Sequence, residues 1–364
     1  MTQMNYRKMP TRSTARCYMA LASLLALPFG LQPTSLLFIM LSICCLSVGV
    51  LSVPRVSYIR VLLYSFAAGL VPAVIVGLLT KSPAYAIAAF SFAPASALLV
   101  LTIRRRNSRS AGIFWATAAL TVTLLGAMLL WLWMRAGSLS VAVFKQLYSE
   151  VKNGFVAQMT TLLQETPDVL FLSGIDIETA PAILFDVFVS VLPGIFLMLM
   201  WLVAWLASAC VRRIFMGYVY GADRFKDWPV TVWRPLSFVY LGSFVLALLP
   251  IPNDVYTVIG IVCYNIFFPL LPIFTVVGCR MLKERLMRQP GCGCVTVILL
   301  IAFTVAVPGI PLFLLSIMGA VQTIFPPKLP PITPPPFTPP YGGNGYSDPH
   351  SDDDDPDDQG GTSE

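Results

Sequence analysis

Histidine is almost missing from this chain. Of its 364 residues only His350 is one. A zinc protease of the HExxH type needs two histidines one helical turn apart. A membrane Ser/His protease needs an imidazole base. Both classes are excluded. Charge is scarce too: Lys, Arg, Asp and Glu make up 12% of the residues, about half the roughly 25% of a soluble domain. With 57% hydrophobic residues, the main body is not a soluble enzyme, a disordered protein or a nucleic-acid-binding domain. No GxxxxGK[ST] phosphate loop is present, so ATP hydrolysis by that route is absent. Ionisable residues are missing from the middle of the apolar blocks, with Asp186 and Asp254 near block ends. Pumps and many ion-coupled transporters carry such groups deep in the bilayer. Polar neutral groups that could hold sodium remain. These absences leave no catalytic residue to assign, and the chain reads as a non-enzyme without a cofactor.

What is present comes in long apolar blocks. Nine approach the roughly 20 residues that cross a bilayer, at residues 17–31, 35–53, 58–79, 83–103, 113–133, 185–211, 232–251, 255–277 and 295–317. The predicted fold is therefore an all-α, polytopic transmembrane helical bundle of about nine spans, with the lipid bilayer as its first partner. The first block is short and follows a basic leader, but no small-x-small cleavage site follows it. It reads as a retained anchor. Charge parity then orients the chain. With the N-terminus inside, 19 of the 24 Lys and Arg residues fall on the cytoplasmic side and five outside, as the positive-inside rule requires. The expected location is a bacterial inner membrane, with the C-terminus outside.

The domain reading follows from these blocks. Residues 1–16 are a basic cytoplasmic N-terminus and 17–134 hold five spans. Residues 135–184 are an outside loop, 185–325 hold four spans and 326–364 form a tail. In the loop, Phe144, Leu147, Tyr148, Val151, Phe155, Met159 and Leu162 recur at helical spacing. That stripe predicts an amphipathic helix, lying on the membrane or capping the bundle, or serving as a lid over a substrate entrance. The tail has nine prolines in residues 326–340 and then six aspartates in 352–358. Such a segment buries no core and is expected to be a disordered, solvated extension. None of the eight cysteines falls in an outside segment, which argues against a disulfide framework. Cys292 and Cys294, near Cys279, lack the second Cys or His pair of a metal site.

Two features carry the binding expectations. The eighth block contains Pro269 and Pro272, and the ninth contains Pro308 and Pro311. A proline within a helix removes one hydrogen bond and displaces the carbonyl four residues earlier. The carbonyls concerned belong to Asn265, Phe268, Thr304 and Val307. Paired breaks of this kind point to a ligand site in membrane transporters. Tyr264, Asn265 and Thr304 then become candidate ligand-binding residues, with Pro269 and Pro308 shaping the site; two kinked, packed helices are the plainer reading. Ala89, Ala93 and Ala97 form a small-residue stripe for helix packing or subunit docking, and Gly112 with Ala116 forms another.

The C-terminal half also resembles a known family. The segment Phe225-Lys-Asp-Trp228, then Trp233-Arg234-Pro235, then Asn265 within YNIFFPLLPIFTVVG and the closing LLSIMGAVQTIF carry the resemblance. Together they are similar to the YybS-like family of bacterial polytopic membrane proteins, over residues 180–325. Gln322 stands where that family has an acidic residue, and Pro326 where it has an arginine. The family is distantly similar to the substrate-binding subunits of energy-coupling-factor transporters. The resemblance implies a helical bundle with a small-molecule pocket, coupled to a separate membrane subunit and ATPases. Capture of a small solute is the first functional expectation. A non-transporting scaffold, recruiting an envelope partner through the outside loop and tail, is the second.

Overall fold

The computed structural model describes residues 11–32, 35–53, 57–105, 107–165, 179–216, 230–248, 253–288 and 309–326. Thr304, Pro308, Cys292, Cys294 and the segment 225–228 lie outside them. The chain divides into two units, Met1–Phe325 and Pro326–Glu364; of the second, only Pro326 is described.

Among the described residues the first unit is entirely helical in its regular structure. It contains α1 (Arg12–Leu31), α2 (Leu36–Ser52), α3 (Tyr58–Thr80), α4 (Pro83–Phe90), α5 (Phe92–Arg104) and α6 (Arg109–Ala136). These are followed by α7 (Val141–Glu165), α8 (Ala180–Met216), α9 (Arg234–Leu248), α10 (Asn253–Arg288) and α11 (Gly309–Ile324). Among the described residues, six stretches are long and apolar enough to cross a membrane: α1, α3, the α4–α5 pair, α6, α8 and α10. These apolar helices are compatible with an integral membrane protein. Helices α2, α9 and α11 are equally apolar but only 17, 15 and 16 residues long.

Several boundaries depart from the expected ones, each for a local reason. The first block is longer than its apolar run, because Thr11 caps the helix: its Oγ1 accepts from the Thr14 amide at 3.3 Å. A side-chain oxygen at that position satisfies one of the orphan N–H groups of a helix start. The fourth block, expected as one helix, breaks at Ser91 into α4 and α5. Pro94 lies three residues beyond the break, in the first turn of α5, where its missing N–H does least harm. The seventh block shrinks to α9, starting at Arg234. In the eighth, α10 stays helical through both Pro269 and Pro272. In the ninth, the described part is α11, which contains Pro311.

The core runs along α2. Ten of its 17 residues are buried, the pattern of a helix that is apolar all round and enclosed by others. It packs against α1, α5 and α8. Polar links between neighbours are few and short. Ser47 and Ser96 join α2 to α5 at 2.9 Å, and the Ser23 hydroxyl donates to the Ala68 carbonyl of α3 at 2.8 Å. The small-residue stripe belongs to this packing. Ala89, Ala93 and Ala97 are all buried. A Cβ placed on Gly30 of α1 would lie 2.7 Å from the Ala89 methyl, and one on Gly69 of α3 only 2.5 Å from the Ala93 methyl. Gly112, at the start of α6, would meet Thr102 Oγ1 of α5 at 2.8 Å.

A second, smaller core joins α9, α10 and α11 around Tyr240, Phe274 and Ala320. There the chain brings backbones into contact. A Cβ on Gly278 of α10 would stand 2.0 Å from the Leu315 carbonyl oxygen, and one on Gly319 of α11 would stand 2.1 Å from that of Phe274. Only glycine fits at such a crossing. Tyr240 and Ser316 share a 2.5 Å hydrogen bond beside it.

Candidate functional site

Asn265 is half-buried and fully hydrogen-bonded through its amide N–H groups. Its Nδ2 donates to the Ser190 carbonyl at 2.7 Å and to the Ile261 carbonyl at 2.8 Å, and its Oδ1 accepts from the Gly194 amide at 2.7 Å. Both N–H donors of the carboxamide are engaged, leaving one acceptor lone pair. The arrangement has a specific cause. In an α-helix the Gly194 amide would bond the Ser190 carbonyl. Pro193, one residue earlier, supplies no N–H and its ring pushes the preceding turn outward. The Asn265 side chain stands in the gap and bridges the two separated groups. Gly194 permits the approach: a Cβ there would lie 3.0 Å from the Asn265 Cα. So Asn265 ties α10 to α8 beside Pro193, through Ser190 and Gly194. The Pro193-Gly194 pair was the available sequence signal, and the reading of α8 as a plain span passed over it.

The other candidates divide. Tyr264 is 38% exposed and packs on Phe268 at 6.2 Å between ring centroids. Pro269 lies inside a continuous α10, and Thr304 and Pro308 fall outside the described residues. None of Tyr264, Asn265 and Pro269 lines the cavity described next.

A cavity does exist beside Pro193. It has a volume of about 930 Å³ and is lined by Pro193 together with Phe29, Leu36, Ala84, Tyr85, Ala88, Leu192 and Phe196, and by α6 from Thr121 to Trp131. On α6 that is eleven residues, ten steps of ~1.5 Å or about 15 Å. Its walls come from the end of α1, the start of α2, the start of α4, the second half of α6 and the first half of α8. These ends therefore share one end of the bundle. The lining is almost wholly hydrocarbon and contains no charged side chain. Tyr85, Thr121 and Trp131 are the lining residues with a polar side-chain atom, and the Thr121 hydroxyl oxygen is itself buried away from the open space. Leu125 and Met128 of α6, with Leu192 and Leu197 of α8, line the cavity yet are 37–56% exposed. They mark an apolar mouth between the two helices. Trp131 closes the rim, with the Arg135 guanidinium 5.3 Å above its ring.

The opposite end of the bundle is basic. Arg104 donates from Nη2 to the carbonyls of Val50 and Val53 at 3.3 and 3.2 Å. It thereby serves the orphan acceptors at the end of α2, where a cation is favoured. Arg109, at the start of α6, is buried and donates from Nε to Ser208 Oγ of α8 at 3.2 Å. This polar lock holds α6 against α8 at that end, while a space opens between them beside Pro193 at the cavity end.

Helix α7 attaches at the cavity end. Lys152 bridges Asp186 of α8, 2.8 Å to each carboxylate oxygen, and the Tyr148 hydroxyl donates to the same carboxylate. Phe185 packs against Tyr148 and Phe155, both at 5.4 Å. Hydrogen bonding to Asp186 raises the pKa of both Tyr148 and Lys152 above their ordinary values. Much of the predicted apolar stripe stays uncovered: Val151 is 52% and Leu162 56% exposed.

Compared with known protein families, with curated proteins and with solved structures, the chain matches none.

Proposed function

We propose that this protein is a membrane-embedded binder of a small solute, held in the cavity between α6 and α8. One observation carries the reading. Beside Pro193 of α8 lies a space of about 930 Å³ lined almost wholly by apolar side chains, within the range of ligand sites, roughly 300–1,000 Å³. The resemblance to the YybS-like family points the same way. It suggests that a coupling membrane subunit and ATPases complete a transporter. The buried Ala89–Ala97 stripe serves packing within the bundle in this reading, so such a subunit docks elsewhere. The proposal includes nine spans in a bacterial inner membrane, with α2, α9 and α11 as short spans shielded by longer neighbours. The N-terminus and the basic end face the cytoplasm, and the cavity end and α7 face outside.

The test is thermal unfolding of the purified protein against a panel of polar and apolar solutes, for the native chain and for Leu125→Trp. Leu125 is 43% exposed at the mouth, so the larger ring obstructs the cavity without crowding the core. At a hundredfold excess over its dissociation constant, a ligand stabilises the folded state by about 2.7 kcal/mol. The expected result is a shift in the native protein that Leu125→Trp removes. If no solute shifts the native protein, or if Leu125→Trp shifts equally, the cavity is not a binding site.

A further inference from the structure

From the way the chemistry changes along the α6 wall we infer that the cavity holds the hydrocarbon chain of a single-chain amphiphile whose anionic head sits at Arg135. The inference rests on the cavity being a binding site and names the class of ligand it takes. The wall residues Thr121, Leu124, Leu125, Met128 and Trp131 fall at i, i+3, i+4, i+7 and i+10 of α6, the spacing of one helix face. Arg135 stands four residues beyond Trp131 and continues that face. Its guanidinium lies 5.3 Å from the centre of the Trp131 ring. The face therefore passes from hydrocarbon, through an indole, to a cation.

Each zone excludes something. The deep zone offers a ligand no polar partner. Thr121 keeps its hydroxyl oxygen buried away from the space, and Leu124, Phe196 and Met200 are apolar. A sugar, an amino acid or an ion placed there would lose its water and gain no hydrogen bond in return. A hydrocarbon chain has none to lose. Polar side-chain atoms reach the remaining wall from Tyr85, in the first turn of α4, and from Trp131, in the last turns of α6. A phenol and an indole each have an apolar body and one hydrogen-bonding tip. Such rings suit the level at which hydrocarbon gives way to headgroups.

Arg135 fixes the sign of the head. It is exposed, and among the described residues it pairs with no carboxylate. A carboxylate or phosphate head can accept two parallel hydrogen bonds from a guanidinium while its chain lies along the wall. An ammonium head is repelled. The way in is lateral. Leu125 and Met128 of α6, with Leu192 and Leu197 of α8, are exposed at the mouth, on two helices apolar enough to cross a membrane. A chain lying in the bilayer slides between them while its head stays at the surface, so no polar group crosses hydrocarbon.

Four probes that share one chain and differ in the head test this: laurate, dodecyl phosphate, 1-dodecanol and dodecylammonium. Binding of each to the full-length protein is titrated by native mass spectrometry in a nonionic detergent, at mildly alkaline pH where the carboxyl is ionised. The variants are Arg135→Gln and Leu125→Trp. The expected result is that an anionic probe binds the native protein about fivefold more tightly than dodecanol, the upper range for an exposed ion pair, and that dodecylammonium binds most weakly. The anion that binds more tightly identifies the head as carboxylate or phosphate. Arg135→Gln should bring the anions to the level of dodecanol and leave dodecanol binding unchanged, which also shows that the variant is folded. Leu125→Trp should weaken all four. Equal binding of every head, lost in Leu125→Trp, overturns the inference and leaves a hydrocarbon site indifferent to the head. So does an anion preference that survives Arg135→Gln, or a preference for dodecylammonium. If no amphiphile binds in a Leu125-dependent way while a polar solute does, the inference fails and the proposed function stands. If neither class binds, the proposed function itself falls.

Discussion

Asn265 shows how a residue can be correctly singled out and differently employed. A lone carboxamide in an apolar helix needs partners, and a ligand is one way to supply them. Here the partners are the two backbone groups that Pro193 separates. The consequence is a stability prediction. Interhelical hydrogen bonds in membrane proteins average about 0.6 kcal/mol, so removing the two that Asn265 makes to α8 should cost about 1 kcal/mol. Asn265→Ala is expected to lower the unfolding free energy by that amount in detergent. In a Pro193→Ala background the α8 ladder can close unaided, and the same substitution should cost less than half as much. Equal costs in the two backgrounds would mean that Asn265 does not serve the gap at Pro193. Such a double-mutant cycle isolates the coupling between neighbours.

At the scale of elements, glycine placement separates contact from mere presence. Gly319 and Gly278 stand where α10 and α11 touch backbone to backbone, whereas Cβ atoms on Gly242 and Gly260 would meet nothing within 4 Å. Gly319→Ala should destabilise the protein by about 1–3 kcal/mol, the usual cost of overpacking, and Gly242→Ala should be neutral or slightly stabilising. Thermal unfolding of the two variants decides it; similar midpoints would show that the crossing is looser than it looks. Helix α7 gives a prediction of a different kind. Lys152 has its pKa raised by its bond to Asp186. That contribution is complete below the ordinary lysine value of about 10.4 and fades only as pH rises through the higher folded value. Hydrogen exchange of α7 should therefore be unchanged from pH 7 to 9 once corrected for the intrinsic rate, and Lys152→Met should speed it throughout. Helix existence was legible from the apolar blocks, because burial in lipid needs long apolar runs whatever their packing. Helix ends and breaks were not: the Thr11 cap and the displacement of the Pro94 break to Ser91 depend on local hydrogen bonding that hydropathy does not register. The cavity was illegible for a deeper reason. Its wall joins Phe29, Tyr85, Thr121 and Phe196 from four helices, and no spacing along one chain segment encodes that meeting.

For the whole molecule the decisive asymmetry is charge. Arg104 and Arg109 hold the end of the bundle where α2 and α5 finish and α6 begins, and Arg212 and Arg213 close α8 at that same end. The other end carries the cavity, α7 and few cations. Lys and Arg resist translocation, so the basic end should remain in the cytoplasm. In a cysteine-free background, Lys145→Cys on α7 should react with a membrane-impermeant maleimide in intact cells, and Arg213→Cys only after permeabilisation. Both positions are exposed, so a failure to label reports sidedness rather than burial. The reverse pattern would invert the bundle and place the cavity mouth in the cytoplasmic leaflet. The expected pattern places it in the outer leaflet, on the side where α7 packs against Phe185 and Asp186 of α8.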